Sequence, residues 1–551
     1  MTMRSTLFAL ALAGGGVAAT ASDLQPVVEA PAGAVRGSAV GGIRVFKGIP
    51  YAKPPVGSLR WRPPVPLDRW PGTREASEFG PACVQPQSDK LTTIYSEPPM
   101  PVSEDCLTLN VWTPDEARGV PVLVWIHGGS LLTGSSREPL YDGTELARRG
   151  VVVVSINYRL GVLGWLAHPD LTRESPQDIS GNYGLLDQIA ALHWIRDNIA
   201  AFGGNPSEVT IAGESAGGLS GLLLMSSPYA RGLFQRAILQ SSYMIALPEL
   251  KRSVFSVPSW QATGKMLQGG LRAPDLAAMR RMDAQAITDA SAKLGFAPLP
   301  AVDGKVLPRQ MVDTFDAGEQ APVPVVAGFN QGEIRSLRML LAKPAKDAAE
   351  YEAAIRERYG DLADRFLALY PAADQAESML AATRDALYGW TAERVVRQQA
   401  AQGLPSYLYL FDHGYPAADA AGYHAHHASE LPYVFGTFAR TPPLWPKIPD
   451  SEAERALSAA MTDYWASFAR GGQPVAAGAP SWPSYAPGQR YMLFAERPEP
   501  ASHLMPGMFA FNELVMCRRR ADRKVGWNWN VGLAAPKPVA SMSSECAPPN
   551  P

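Results

Sequence analysis

Cysteine is scarce in this sequence, with four residues in 551. None belongs to a Cys-x-x-Cys pair or a His/Cys cluster, so no structural zinc site and no metal cofactor is expected. Net charge is lacking too: 50 basic side chains face 52 acidic ones, a balance of −2. That balance provides no field for gripping nucleic acid or an anionic membrane surface, and small or neutral partners are expected instead. Beyond the first residues no run approaches the roughly 20 apolar positions of a membrane span. The chain also lacks an internal repeat, a low-complexity linker or a charge block at which to divide. Its length allows three or four domains of about 150 residues, or one large enzyme domain.

Glycine and proline are abundant, at 49 and 50 residues. Together they approach about 18% of the chain against about 12% in average proteins, which implies many turns and long surface loops. At the start, Arg4 is the only charge before Asp23, and Thr6 to Ala19 is apolar or small. This pattern is that of a signal peptide, residues 1–21, with Ala19-Thr20-Ala21 as the cleavage site and 22–551 as the mature chain. A secreted or periplasmic location follows. Export places Cys83, Cys106, Cys517 and Cys546 where disulfides persist. Of three possible pairings, the sequence-local one joins Cys83 to Cys106 and Cys517 to Cys546, closing loops of roughly 24 and 30 residues.

Short continuous apolar runs at Val120 to Ile126, Val151 to Ile156, Val209 to Ala212, Ala237 to Leu239, Val323 to Ala327 and Tyr407 to Phe411 read as strands buried on both faces. Helical patterns such as Leu185 to Ile199 and Ser451 to Arg470 lie between or after them. This alternation predicts an α/β domain around a mostly parallel sheet. Val27 to Ile49 reads as antiparallel strands at one edge of that sheet. Met244 to Pro300 is less periodic and reads as a helical insertion.

Gly213-Glu214-Ser215-Ala216-Gly217 places G-x-S-x-G directly after one buried strand, the context of a nucleophile elbow. Flanking glycines are needed because the turn is too tight for side chains. A serine hydroxyl attacks only when a base takes its proton, so the motif calls for a histidine, an orienting acid and donors for an oxyanion. His127-Gly128-Gly129-Ser130 follows another strand. The amides of Gly129, Ser130 and Ala216 are the candidate donors.

Taken with Phe46 to Ala52, Ser103 to Val111, Asn157-Tyr158-Arg159, Gly181 to Gln188 and Phe202 to Pro206, these motifs make the chain resemble the type B carboxylesterases, the cholinesterase-like branch of the α/β-hydrolases. The likeness spans nearly all of the mature chain. It implies a large, mostly parallel sheet flanked by helices, with loop and helical insertions forming a gorge. It further implies a serine carboxylesterase that forms an acyl-enzyme on Ser215, needs no cofactor and acts on a small-molecule ester. Gly328 to Ile334 matches the family's acid motif except for Ile334 in place of glycine, and carries Glu333 over as the acid. His427 to Gly436 carries His427 over as the base, with His426 and His424 as its neighbours and competitors. Glu214 and Ser241 are supporting candidates. With an unperturbed pKa near 6.5, His427 would lose its base function on acidification.

Departures from the family pattern bear on substrate. Ser130 and Leu131 replace residues of the oxyanion loop, which is expected to alter the acyl-pocket wall. The Val84 to Asp105 loop lacks a tryptophan to hold a choline ammonium, and Tyr95 is its only aromatic residue. Neutral carboxylic or aromatic esters are therefore expected, with a specialised toxin, polyester, carbamate or aryl esterase as the alternative. Trp165, Phe255 and Trp260 are candidates for the gorge wall, although core packing is the expectation for each. The same fold also serves neuroligin-like binding proteins, which lack the nucleophile.

Overall fold

The computed structural model describes residues 25–527, 530–537 and 546; the candidate signal peptide lies outside the described residues. Eleven strands form the central sheet: β1 (Ser38–Val40), β2 (Ile43–Pro50), β3 (Thr108–Pro114), β4 (Val120–Ile126), β5 (Val152–Ile156), β6 (Gly204–Glu214), β7 (Arg236–Gln240), β8 (Val325–Asn330), β9 (Ser406–Phe411), β10 (Arg490–Phe494) and β11 (Pro498–Ser502). Their spatial order is β11-β10-β9-β8-β7-β6-β4-β5-β3-β2-β1. From β10 to β5 every neighbouring pair is parallel, while β11 at one end and β3, β2 and β1 at the other are antiparallel. The expected apolar runs all became strands of this sheet. Burial on both faces explains why they read as continuous rather than alternating.

One expectation needs correcting. Only part of the Val27 to Ile49 segment edges the main sheet. Val27–Ala30 and Gly33–Arg36 pair with each other and with Thr73–Glu75 in a separate three-stranded sheet. Trp70 explains the departure: its indole covers Gly33 and donates to Ala34 O at 2.9 Å, drawing this hairpin away from the edge.

Helix α1 (Tyr183–Asn198) and helix α3 (Glu452–Gly471) fall on the expected patterns. Ser451 caps α3, its hydroxyl accepting from Glu454 N at 3.2 Å. Between them in sequence, α2 (Ala216–Ser226) is buried along its whole length. The Met244 to Pro300 insertion is helical at Trp260–Gly270, Leu276–Arg281 and Ala284–Lys293. Both sequence-local disulfides are formed, Cys83 to Cys106 and Cys517 to Cys546. No helix among the described residues is long and apolar enough to cross a membrane.

The strand order reverses between β4 and β6. Connections from β4 run outward to β5, and connections from β6 run the opposite way to β7. At such a switch the loops leaving the two strands part, and a crevice opens beyond their carboxyl ends. The loop after β4 begins at His127 and the turn after β6 is Ser215. Topology thus brings both serine-chemistry motifs to one crevice.

A buried ion pair supports one wall of it. Asp187 on α1 receives Arg159 Nε and Nη2 at 2.7 Å each and Arg159 N at 3.0 Å. Next to Arg159, Tyr158 donates its hydroxyl to His127 O at 2.9 Å and stacks on the His127 ring at 4.5 Å. Asp187→Ala leaves the Arg159 guanidinium buried and unpaired, a change that costs about 3–5 kcal/mol. Urea unfolding of this variant is expected to show that loss at unchanged denaturant slope.

Candidate active site

Ser215 stands at the sharp turn from β6 into α2 with φ 56° and ψ −119°. A non-glycine residue in this region carries about 1–3 kcal/mol of strain, retained only where its surroundings dictate it. They do so here through contacts on both sides. A Cβ on Gly217 would lie 2.0 Å from Ile126 O, and one on Gly213 would lie 2.5 Å from the Gly217 carbonyl carbon. Ser215 N donates to Gln240 O at 3.0 Å, pinning the turn to the end of β7. The side chains of G-x-S-x-G are therefore absent for lack of space.

Facing the turn is the loop after β4. Gly129 and Ser130 hold φ 95° and 56°, and their amides, with that of Ala216 at the first position of α2, have no protein acceptor among the described residues. Burial pushes the His127 imidazole down to about 4, so it is neutral at physiological pH. Its Nδ1 lies 2.9 Å from Gly128 O and braces the loop from behind. Leu131 is buried, and Leu132 faces the cavity instead. The expected change of pocket wall at Leu131 is thereby corrected: its carbonyl accepts from Gly161 N at 2.8 Å and the chain turns its side chain inward.

Glu333 follows the end of β8 and is fully buried. Its Oε1 accepts from Ser241 Oγ at 2.6 Å and Asn330 N at 2.8 Å, leaving Oε2 aimed at His427 Nδ1 at 2.5 Å. Gly332 lets the two loops meet: its N donates to Ala425 O at 2.7 Å, and a Cβ there would lie 2.7 Å from Tyr423 O. Ile334, the departure from the family pattern, is buried and has no positive φ, so nothing at that position demands glycine.

The neighbouring histidines separate by their partners. His426 Nδ1 lies 2.9 Å from the carbonyl of His427, which can only accept, so the proton sits on Nδ1. Its Nε2 is buried without a partner, and burial pushes its pKa down to about 4. His424 sits between Asp412 at 3.0 Å and Asp419 at 2.7 Å, away from Ser215. His427 alone of the three faces the same cavity as Ser215.

Sequence reasoning missed the electrostatic setting of His427. Glu214 Oε1 lies 3.0 Å from His427 Nε2, at ion-pair distance though not aligned as a hydrogen bond. Burial opposes the imidazolium, but Glu214 and Glu333 outweigh it and raise His427 to about 9. Glu214 itself is pushed up to about 8, chiefly by burial. The expectation of an unperturbed histidine is thus overturned by a contact across the fold. Behind it, Glu430 accepts from Asn330 Nδ2 at 2.6 Å and Gln240 Nε2 at 2.9 Å.

Ser215, His427, Glu214 and the Gly128–Ser130 loop share one cavity of about 710 Å³. Its aromatic wall is Tyr95, Tyr141, Tyr243, Tyr388 and Trp445. Trp165, Phe255 and Trp260 are core residues, in keeping with the expectation of packing. Among the described residues, no group of three or more His, Cys, Asp or Glu is placed to hold a metal ion.

The carboxylesterase family's sequence profile matches residues 24–508. The chain belongs to the carboxylesterase family. It is 37% identical to the fumonisin B1 esterase of Sphingopyxis macrogoltabida, over 87% of this chain and 88% of that one. To the para-nitrobenzyl esterase of Bacillus subtilis it is 36% identical, over 83% and 92% of the two chains. A Geobacillus stearothermophilus carboxylesterase structure superposes with a TM-score of 0.75 at 34% identity, covering 88% of this chain and 99% of that one. The fold is accordingly that of the α/β-hydrolases, and the protein is a carboxylic ester hydrolase of the type B serine esterase family.

Because Glu214 raises His427, Glu214→Gln is expected to move the imidazole titration to lower pH. A nuclear magnetic resonance titration of His427 reads this directly. An unchanged midpoint would remove Glu214 from the account.

Proposed function

We propose that Ser215, His427 and Glu333 are the nucleophile, base and acid of this carboxylesterase. The observation that carries the reading is the His427 Nδ1 to Glu333 Oε2 contact of 2.5 Å, made beside a cavity that also exposes the Ser215 turn. Glu333 fixes the tautomer with the proton on Nδ1, leaving Nε2 to receive the Ser215 proton. Ser215 Oγ attacks the ester carbonyl, and the amides of Gly129, Ser130 and Ala216 donate to the oxyanion. His427 returns the proton to the departing alcohol, and a water activated by the same imidazole releases the acid. Ser241 acts through Glu333 by holding its Oε1. Glu214 lies at ion-pair distance from His427 and raises its imidazole, so the active form is the one with the imidazole neutral and activity falls as acid charges it.

The substrate we infer is a neutral carboxylic or aromatic ester, supported by the cavity's aromatic wall. A specialised role on a bulky ester toxin is a second reading, favoured by the 37% identity to a fumonisin B1 esterase. Residues 22–551 act in this reading as one catalytic domain, since the three residues follow β6, β8 and β9 of one sheet. Two disulfides support export to a secreted or periplasmic location, with cleavage after Ala21.

The test is turnover of p-nitrophenyl esters of increasing acyl length alongside fumonisin B1. Ser215→Ala and His427→Ala are each expected to lower kcat by about 10⁴-fold or more, and His426→Ala far less. Substantial activity in Ser215→Ala, or a larger loss in His426→Ala than in His427→Ala, would sink the assignment. Selective turnover of fumonisin B1 would replace the simple-ester reading with the second.

A further inference from the structure

The loop closed by Cys83 and Cys106 touches the reactive groups on two sides. Gln85 Oε1 accepts from Gly134 N at 2.9 Å, and Gln85 Nε2 donates to Gly134 O at 3.0 Å, tying the loop to the turn that follows Gly129 and Ser130. Further along, Tyr95 reaches the opposite side. Its hydroxyl donates to the His427 carbonyl at 2.8 Å and lies 2.6 Å from Ser336 Oγ. A carbonyl only accepts, so the single phenolic proton goes to His427 and the Ser336 hydroxyl donates to the Tyr95 oxygen. Ser336 lies on the short 3₁₀ turn that starts at Glu333. One phenol therefore joins the main chain of the base to the turn of the acid. Its ring is held edge-on by Trp445 at 5.8 Å and by His427 at 6.3 Å.

We infer that Tyr95 is a positioning residue for the reaction: through its hydroxyl, the disulfide-closed loop sets how the His427 imidazole stands toward the leaving oxygen. This rests on His427 being the base. The chemistry gives the role a signature. A misplaced imidazole delivers a proton poorly, and misplacement by about 1 Å can cost about 10²-fold in rate. p-Nitrophenolate leaves without a proton, whereas an alkoxide requires one from the imidazolium.

The test compares kcat/KM for ethyl butyrate and p-nitrophenyl butyrate in wild type and Tyr95→Phe, which keeps the ring and removes only the hydroxyl. The expected result is a loss on the ethyl ester at least about tenfold greater than on the p-nitrophenyl ester, with the thermal midpoint little changed. Equal losses on the two esters, or no loss on either, overturn the inference and leave Tyr95 as cavity wall. Should Tyr95→Phe not fold, Ser336→Ala removes the donor to the same phenol and is judged by the same two outcomes. Failure of the underlying reading looks different: wild-type turnover would then survive Ser215→Ala or His427→Ala, whatever Tyr95 does.

Discussion

Ser215 is held at φ 56° between a buried strand and a buried helix, and the rest of the site is arranged around that turn. Space fixes it. Side chains at Gly213 and Gly217 would run into backbone of the turn itself and of β4, so the chain at this point has no alternative path that keeps β4 and β6 paired. The reversal of strand order between those two strands then brings the Gly129–Ser130 loop to the same cavity as Ser215. The proposed nucleophile and oxyanion donors thus follow from sheet topology plus four small residues.

Around His427, three buried carboxylates converge. Glu333 and Glu430 have their oxygens occupied by Ser241, Asn330 and Gln240, and Trp465 Nε1 in turn donates to Gln240 Oε1 at 2.9 Å. Glu214 Oε1 has no hydrogen-bond partner and lies at ion-pair distance from His427. All three carboxylates raise the imidazole, Glu214 by charge alone and Glu333 by charge and a hydrogen bond.

Much of this was legible in the sequence wherever function is written locally. G-x-S-x-G and His-Gly-Gly each encode a backbone shape within a few residues, and continuous apolar runs mark strands buried on both faces. Glu333 and His427 required the family resemblance, because a loop glutamate and a histidine beside two others have no local signature of their own. The raised pKa of His427 was not legible: Glu214 and Glu333 reach it across the fold. Nor was the aromatic wall, since Tyr95, Tyr388 and Trp445 come from segments without period or motif. The Val27–Arg36 hairpin fell in between, because alternation identifies a strand but not the sheet it joins.

In the proposed mechanism one serine, Ser215, carries the acyl group. Covalent labelling with diethyl p-nitrophenyl phosphate followed by peptide mass spectrometry tests it most directly. One phosphoryl group per chain is expected on the Ser215 peptide, rising in step with the loss of esterase activity. Activity lost with the label on another residue, or fully retained after Ser215 is labelled, would contradict it.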